Sequence, residues 1–137
     1  MVRKMLRACA CAALGMVAVL FSYGVATPAE DKVPDIGTIM SKSFKKDGYK
    51  STITAAVKGE KWEDAQKLAK EWNDLGASIG KNKPPKGEDK AWAEQCTKFA
   101  DTTKAIVDGA EKKDSKAVTK AISSFNCMGC HKAHKGS

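Results

Sequence analysis

From Asp89 to Ala110 the chain reads DKAWAEQCTKFADTTKAIVDGA. Its apolar and small residues fall at Trp92, Cys96, Phe99, Thr103, Ile106 and Ala110, in steps of four, three, four, three and four. Residues three and four apart share one face of an α-helix. The regular alternation of these steps is that of a seam between packed helices. Acidic residues at Glu88 and Asp89 suit the positive end of such a helix. The stretch therefore predicts one long helix with a single buried stripe, which needs partners of the same kind.

The neighbouring segments supply them. Upstream, Trp62, Ala65, Leu68, Ala69, Trp72, Leu75 and Ile79 form a second stripe, predicting a helix from about Glu60 to Ile79 closed by Gly80. Before it, Ile36, Ile39, Met40, Phe44, Ile53 and Val57 predict a first helix up to Gly59. Pro34 suits its first turn, and Gly48 interrupts it. Downstream, Asp114 or Ser115 can cap a fourth helix with Val118, Ala121, Ile122 and Phe125 facing inward, ending near Gly136. Lys81 to Gly87 is the one clear loop, because the paired Pro84 and Pro85 cannot continue a helix. The expectation is all-α, an antiparallel four-helix bundle, with no strand and no glycine-rich phosphate loop.

The N-terminus is of a different kind. Arg3, Lys4 and Arg7 precede an uncharged apolar run from Ala8 to Tyr23, and small residues follow. This reads as an export signal over residues 1–29, with cleavage after Ala26 or Ala29; an uncleaved anchor is the alternative. Cleavage after Ala29 leaves residues 30–137 as one small domain, with no membrane segment of its own. It also removes three of the 24 basic residues and none of the 16 acidic ones, so 21 − 16 leaves a net charge of +5, all of it on lysine. Lysine suits a solvated surface and loose docking to an acidic partner protein. The diffuse charge of an exported chain argues against nucleic acid.

Of five cysteines, Cys9 and Cys11 leave with the signal. Among the rest, Cys127-Met128-Gly129-Cys130-His131 is the haem c attachment signature Cys-x-x-Cys-His. On a helix Cys127, Cys130 and His131 share one side. Both thiols can then form thioethers to one covalent haem while His131 ligates its iron. Attachment takes place outside the cytoplasm, which agrees with the signal. A redox Cys-x-x-Cys pair is the competing reading, but that chemistry favours an α/β setting. A zinc site completed by Cys96 or His134 is another.

A helical bundle carrying Cys-x-x-Cys-His near its C-terminus resembles the class II c-type cytochromes, the cytochrome c′ family. The junction Val57-Lys58-Gly59-Glu60-Lys61-Trp62 and the pair Trp92 and Phe99 are similar to that family as well. The resemblance spans the whole mature domain. It implies a single haem c, His131 as proximal iron ligand, frequent dimers, and electron transfer or nitric oxide binding in a periplasm-type compartment. The family often sets an arginine of helix one near a haem propionate. The mature chain has none, which turns attention to a lysine such as Lys42.

The other face of the iron has two candidates, since the starts of helices one and three and the end of helix four share one end of such a bundle. Low-spin members of the class use a helix-one methionine, and Met40 lies in the matching region. Cys96, on the inward stripe of helix three, has no thiol left to pair with in the mature chain. It reads as a distal thiolate ligand, as a small buried hydrophobe, or as half of an intermolecular disulfide. A thiolate stabilises ferric iron and lowers the potential. On reduction it can take a proton and leave, opening a site for NO or CO. With Cys96 as ligand the chain is similar to the small subunits of the heterodimeric class II complexes of anammox bacteria. That likeness implies a heterodimer, NO binding and the anammoxosome lumen. A haem enzyme of peroxidase or NO reductase type needs a distal acid–base group, and His134, three residues past His131, lies on the wrong side. The expectation is a redox and gas-binding protein rather than an enzyme, with a His/Met electron carrier as the alternative.

Overall fold

The computed structural model describes residues 32–136. The expected export signal and its cleavage site lie outside the described residues. The described chain is all-α: α1 Ile36–Phe44, α2 Tyr49–Lys58, α3 Trp62–Ser78, α4 Asp89–Glu111, α5 Ser115–Ser123 and α6 Cys127–His134, with a 3-10 turn at Ile79–Lys81. No strand occurs among the described residues. α1 continued by α2, α3, α4, and α5 continued by α6 form four helical arms packed against each other as in a bundle. The closest packing is between α3 and α4, then between α4 and α5. No helix among the described residues is long and apolar enough to cross a membrane.

The stripe read from residues 89–110 is the inner face of α4. Trp92, Cys96, Thr103, Ile106 and Ala110 are buried, and Phe99 is partly so. Facing it, Ala65, Ala69 and Trp72 of α3 are fully buried. The core falls into two clusters. The larger gathers Ile53, Val57, Trp72, Ile106, Val118 and Ile122; the smaller holds Ile39, Ile79, Trp92 and Cys96. Burying one such side chain is worth about 1.5–3 kcal/mol.

Two expected helices are each broken in two, for local chemical reasons. The first starts later than Pro34 suggested. Asp35 is the N-cap, its carboxylate accepting from the Thr38 N–H at 2.9 Å and the Thr38 hydroxyl at 2.7 Å. Those bonds favour the anion and hold the Asp35 carboxyl below its ordinary range. The helix stops at Phe44, the chain turns through Lys45, whose carbonyl accepts from the Gly48 N–H at 2.8 Å, and α2 begins. A Cβ on Gly48 would lie 2.7 Å from the Lys42 carbonyl oxygen and 3.0 Å from that of Lys45. These are backbone atoms and cannot swing aside. Gly48→Ala is expected to destabilise the domain by about 1–3 kcal/mol, as overpacking does. The check is a denaturant midpoint that falls with an unchanged slope.

The last expected helix is interrupted at Ser124–Asn126. The Ser124 hydroxyl donates to the Ala121 carbonyl at 2.7 Å, closing α5. Asn126 then caps α6 by accepting from the Gly129 N–H at 3.0 Å. Asparagine competes well with helix continuation through such bonds. The break gives the Cys-x-x-Cys-His segment its own helix, with an axis independent of α5.

Candidate haem pocket

One cavity of about 890 Å³ opens between α1, α4 and α6. Pockets for cofactors run from about 300 to 1,000 Å³ and are mostly apolar. This one has walls from Ile36, Phe44, Ile79, Trp92, Phe99 and Phe125. Cys127, Cys130, His131, Cys96 and Met40 all line it. Five candidates from three helices, up to 91 positions apart in the sequence, thus share one chamber. Cys127 and His131 are exposed, Cys130 is half-buried, and all three cysteines are free thiols. α6 explains their common direction, since Cys127, Cys130 and His131 occupy consecutive turns of one face.

Cys96 sits in the wall at 7 % exposure, clustered with Ile39, Ile79 and Trp92, and Cys130 packs against the same cluster. Burial first, and then the neighbouring Cys130, push its thiol up to about 11. It is therefore a neutral thiol at pH 7 when no metal is bound. Burial also raises Cys130, with a smaller contribution from Cys127. Met40, half-buried on α1, packs against the Cys96 cluster.

The residues fit a haem in kind as well as in size. Two free thiols of one helix stand at the cavity's edge, an imidazole follows them, and the remaining wall is aromatic and aliphatic. Among the described residues no three His, Cys, Asp or Glu side chains form a metal cage, so Cys96 and His134 do not complete a zinc set with the motif.

Lys42 does not line this cavity. It faces a shallower one at the α1–α2 corner, beside Lys45, Lys46 and Tyr49. Lys42 lies two residues past Met40 on α1, about 200° around the helix, so it leaves from the face opposite the one that Ile36, Met40 and Phe44 present to the chamber. The lysines at the large cavity are Lys50, Lys98 and Lys135, and the acidic Asp101 lines it too. Helical spacing alone could not assign them, because all lie on faces that read as solvated.

His134, which the spacing sets on the same side of α6 as His131, proves to be built into the core. It is 2 % exposed and packs edge-on against Trp92, ring centroids 5.4 Å apart. Its Nδ1 lies 3.1 Å from the Lys86 carbonyl oxygen, so that nitrogen carries the proton and donates. Nε2 is left buried with no partner. The loop is shaped around this ring. Gly87 has φ +89°, and a Cβ there would come within 2.7 Å of His134 Nδ1. Trp92 Nε1 donates to the Asn82 carbonyl at 2.8 Å, tying the other end of the loop to α4. The signal for His134 was its position four residues after Cys130, one helical turn along the same face. Among known protein families, curated proteins and solved structures, none matches the chain.

Proposed function

We propose that the chain is an exported monohaem c-type cytochrome of the class II kind, an antiparallel four-helix bundle serving redox and diatomic-gas binding rather than turnover. The observation that carries this is the convergence of Cys127, Cys130, His131, Cys96 and Met40 on one apolar cavity. In this reading Cys127 and Cys130 hold the porphyrin by thioethers, and His131 is the proximal ligand. Cys96 is the distal ligand, with Met40 as the alternative. Haem, when bound, would supply one-electron exchange and a binding place for NO or CO. The protein's own part is positional and electrostatic. The aromatic wall excludes water, α6 fixes the spacing of three attachment atoms, and Cys96 must lose its proton to act as a thiolate. The proposed setting is a periplasm-type compartment, or the anammoxosome lumen for a chain of that origin. Partners are a second class II cytochrome in a homo- or heterodimer and an acidic redox protein.

Acid–acetone extraction of the mature protein tests the reading. Haem is expected to stay with the polypeptide, and Cys127→Ala to lower the yield of haem-loaded protein on export. Haem in the organic layer would refute covalent attachment. A second expected outcome concerns the lysine surface. Association with an acidic redox partner should weaken as salt rises, because exposed charges are screened over about 10 Å at 0.1 M. Affinity that does not change between low and high salt would point instead to an apolar interface.

A further inference from the structure

We propose that Trp72 and Tyr49 form a relay that carries oxidising equivalents from the cavity to the surface, with Glu71 accepting the phenolic proton. The proposal rests on the haem reading above only for the source of the oxidising equivalent. Phe125 and Phe44 line the cavity. Behind them lies Trp72, fully buried, its ring 5.1 Å from Phe125 and 5.8 Å from Phe44. On the far side Tyr49 stacks on Trp72 at 6.1 Å with only 16° between the planes. Tyr49 lines the separate surface cavity at the α1–α2 corner. An aromatic path thus runs from the chamber to solvent, and electron tunnelling is fast only over such short gaps.

The hydrogen bonds give the path a direction. Trp72 Nε1 donates to the Ser43 hydroxyl at 2.8 Å, and Ser43 is itself fully buried. A hydroxyl is a poor base, so an oxidised Trp72 keeps its proton and remains a radical cation, a strong oxidant. Tyr49 has an outlet, since its hydroxyl lies 3.5 Å from Glu71 Oε2. A phenol holds its proton at neutral pH, and burial and the Glu71 charge raise Tyr49 further, so there is a proton to give up on oxidation. The balance with a peroxide as oxidant is as follows. Peroxide takes two electrons and two solvent protons to give two waters. One electron is that of ferrous iron; the other comes from Trp72 and is replaced from Tyr49. The Tyr49 proton passes to the Glu71 carboxylate, leaving a neutral tyrosyl radical, glutamic acid and restored Trp72.

The test mixes ferrous, mature holoprotein with hydrogen peroxide and freezes it at successive times for electron paramagnetic resonance. A tyrosyl signal is expected, lost in Tyr49→Phe, with faster haem bleaching in that variant and slower radical formation in Glu71→Gln. Tyr49 is one of only two tyrosines, the other being Tyr23 in the expected signal segment, so the assignment is direct. No tyrosyl signal in the parent, or one that persists in Tyr49→Phe, overturns the proposal. If the chain carries no haem, azide radicals made by pulse radiolysis oxidise the half-buried Trp62, which packs on the same core cluster as Trp72 and feeds it. Transfer from indolyl to tyrosyl at a rate independent of protein concentration is then expected. It should vanish in Tyr49→Phe and in Trp72→Phe, whose folding is verified by its helical circular dichroism. Lack of that transfer in the parent overturns the relay without reference to haem.

Discussion

In the proposed cytochrome, replacing Cys96 with alanine is expected to turn the ferric haem from low-spin to high-spin and to raise its reduction potential. In the proposed site Cys96, once it gives up its proton to the iron, would bring a thiolate to an apolar wall, and an anionic donor favours the ferric charge. Alanine removes the donor and leaves the wall dry, so the iron loses its sixth ligand or takes Met40 from α1. The parent should show the electron paramagnetic resonance of thiolate ligation. Its ferrous form should bind NO or CO more readily than its ferric form, because a protonated thiol is a weak ligand. A Cys96→Ala ferric spectrum identical to that of the parent would end the thiolate assignment. If Met40→Ala alone gave high-spin iron, the histidine/methionine electron carrier would be the better description. Both residues line the same chamber, so the two single variants and their combination separate these outcomes.

The second large effect falls on the fold itself. Trp72→Ala is expected to cost about 3–5 kcal/mol, the range for a buried aromatic ring. Trp72 is fully buried amid Phe44, Tyr49 and Phe125. The variant also takes away the donor to the buried Ser43 hydroxyl, and an unsatisfied buried polar group costs about 1–3 kcal/mol more. Against a total stability of about 5–15 kcal/mol for a domain, that is most of the margin. Urea unfolding should show a midpoint near zero denaturant or no cooperative transition. Trp72→Phe keeps a ring in place and should lose far less. A Trp72→Ala midpoint close to the parent's would mean the larger core cluster does not hold the arms together.

The long-range architecture was legible because it depends on period. The α4 stripe of Trp92, Cys96, Thr103, Ile106 and Ala110 is buried as its spacing required. The α3 stripe is likewise inward, with Ala65, Ala69, Trp72 and Ile79 buried and Trp62, Leu68 and Leu75 partly so. What period could not resolve were the places where a local hydrogen bond outcompetes helix continuation. Asp35, Gly48 and Asn126 each set a boundary through one or two bonds within five residues. Hydrophobic spacing runs straight across all three. The cavity shows the same division. That Cys127, Cys130 and His131 share one face of α6 was readable from five residues in a row, and the inward faces of Cys96 and Met40 from their stripes. The lysines of the chamber were not, because Lys50, Lys98 and Lys135 come from three separate segments, each on a face that reads as solvated. Nor was the clamp on His134, which depends on a loop carbonyl 48 positions away.

The break at Asn126 has a bearing on how the chain matures. α6 is eight residues long, and only His134 among them is buried. Helices that short are marginal on their own. Its hold on the rest is the His134 ring set between Trp92 and the Gly87 loop, with half-buried Cys130 against the Cys96 cluster. α5, by contrast, is anchored by Val118, Ala121 and Ile122. α6 is therefore the segment that can open while the bundle stays shut. Amide hydrogens of residues 127–134 would exchange through local excursions, while those of α3 and α4 would wait for global unfolding. If the proposed haem is attached, an enzyme that must grasp both thiols and the haem edge at once could work on a detached α6, with the chamber already built behind it.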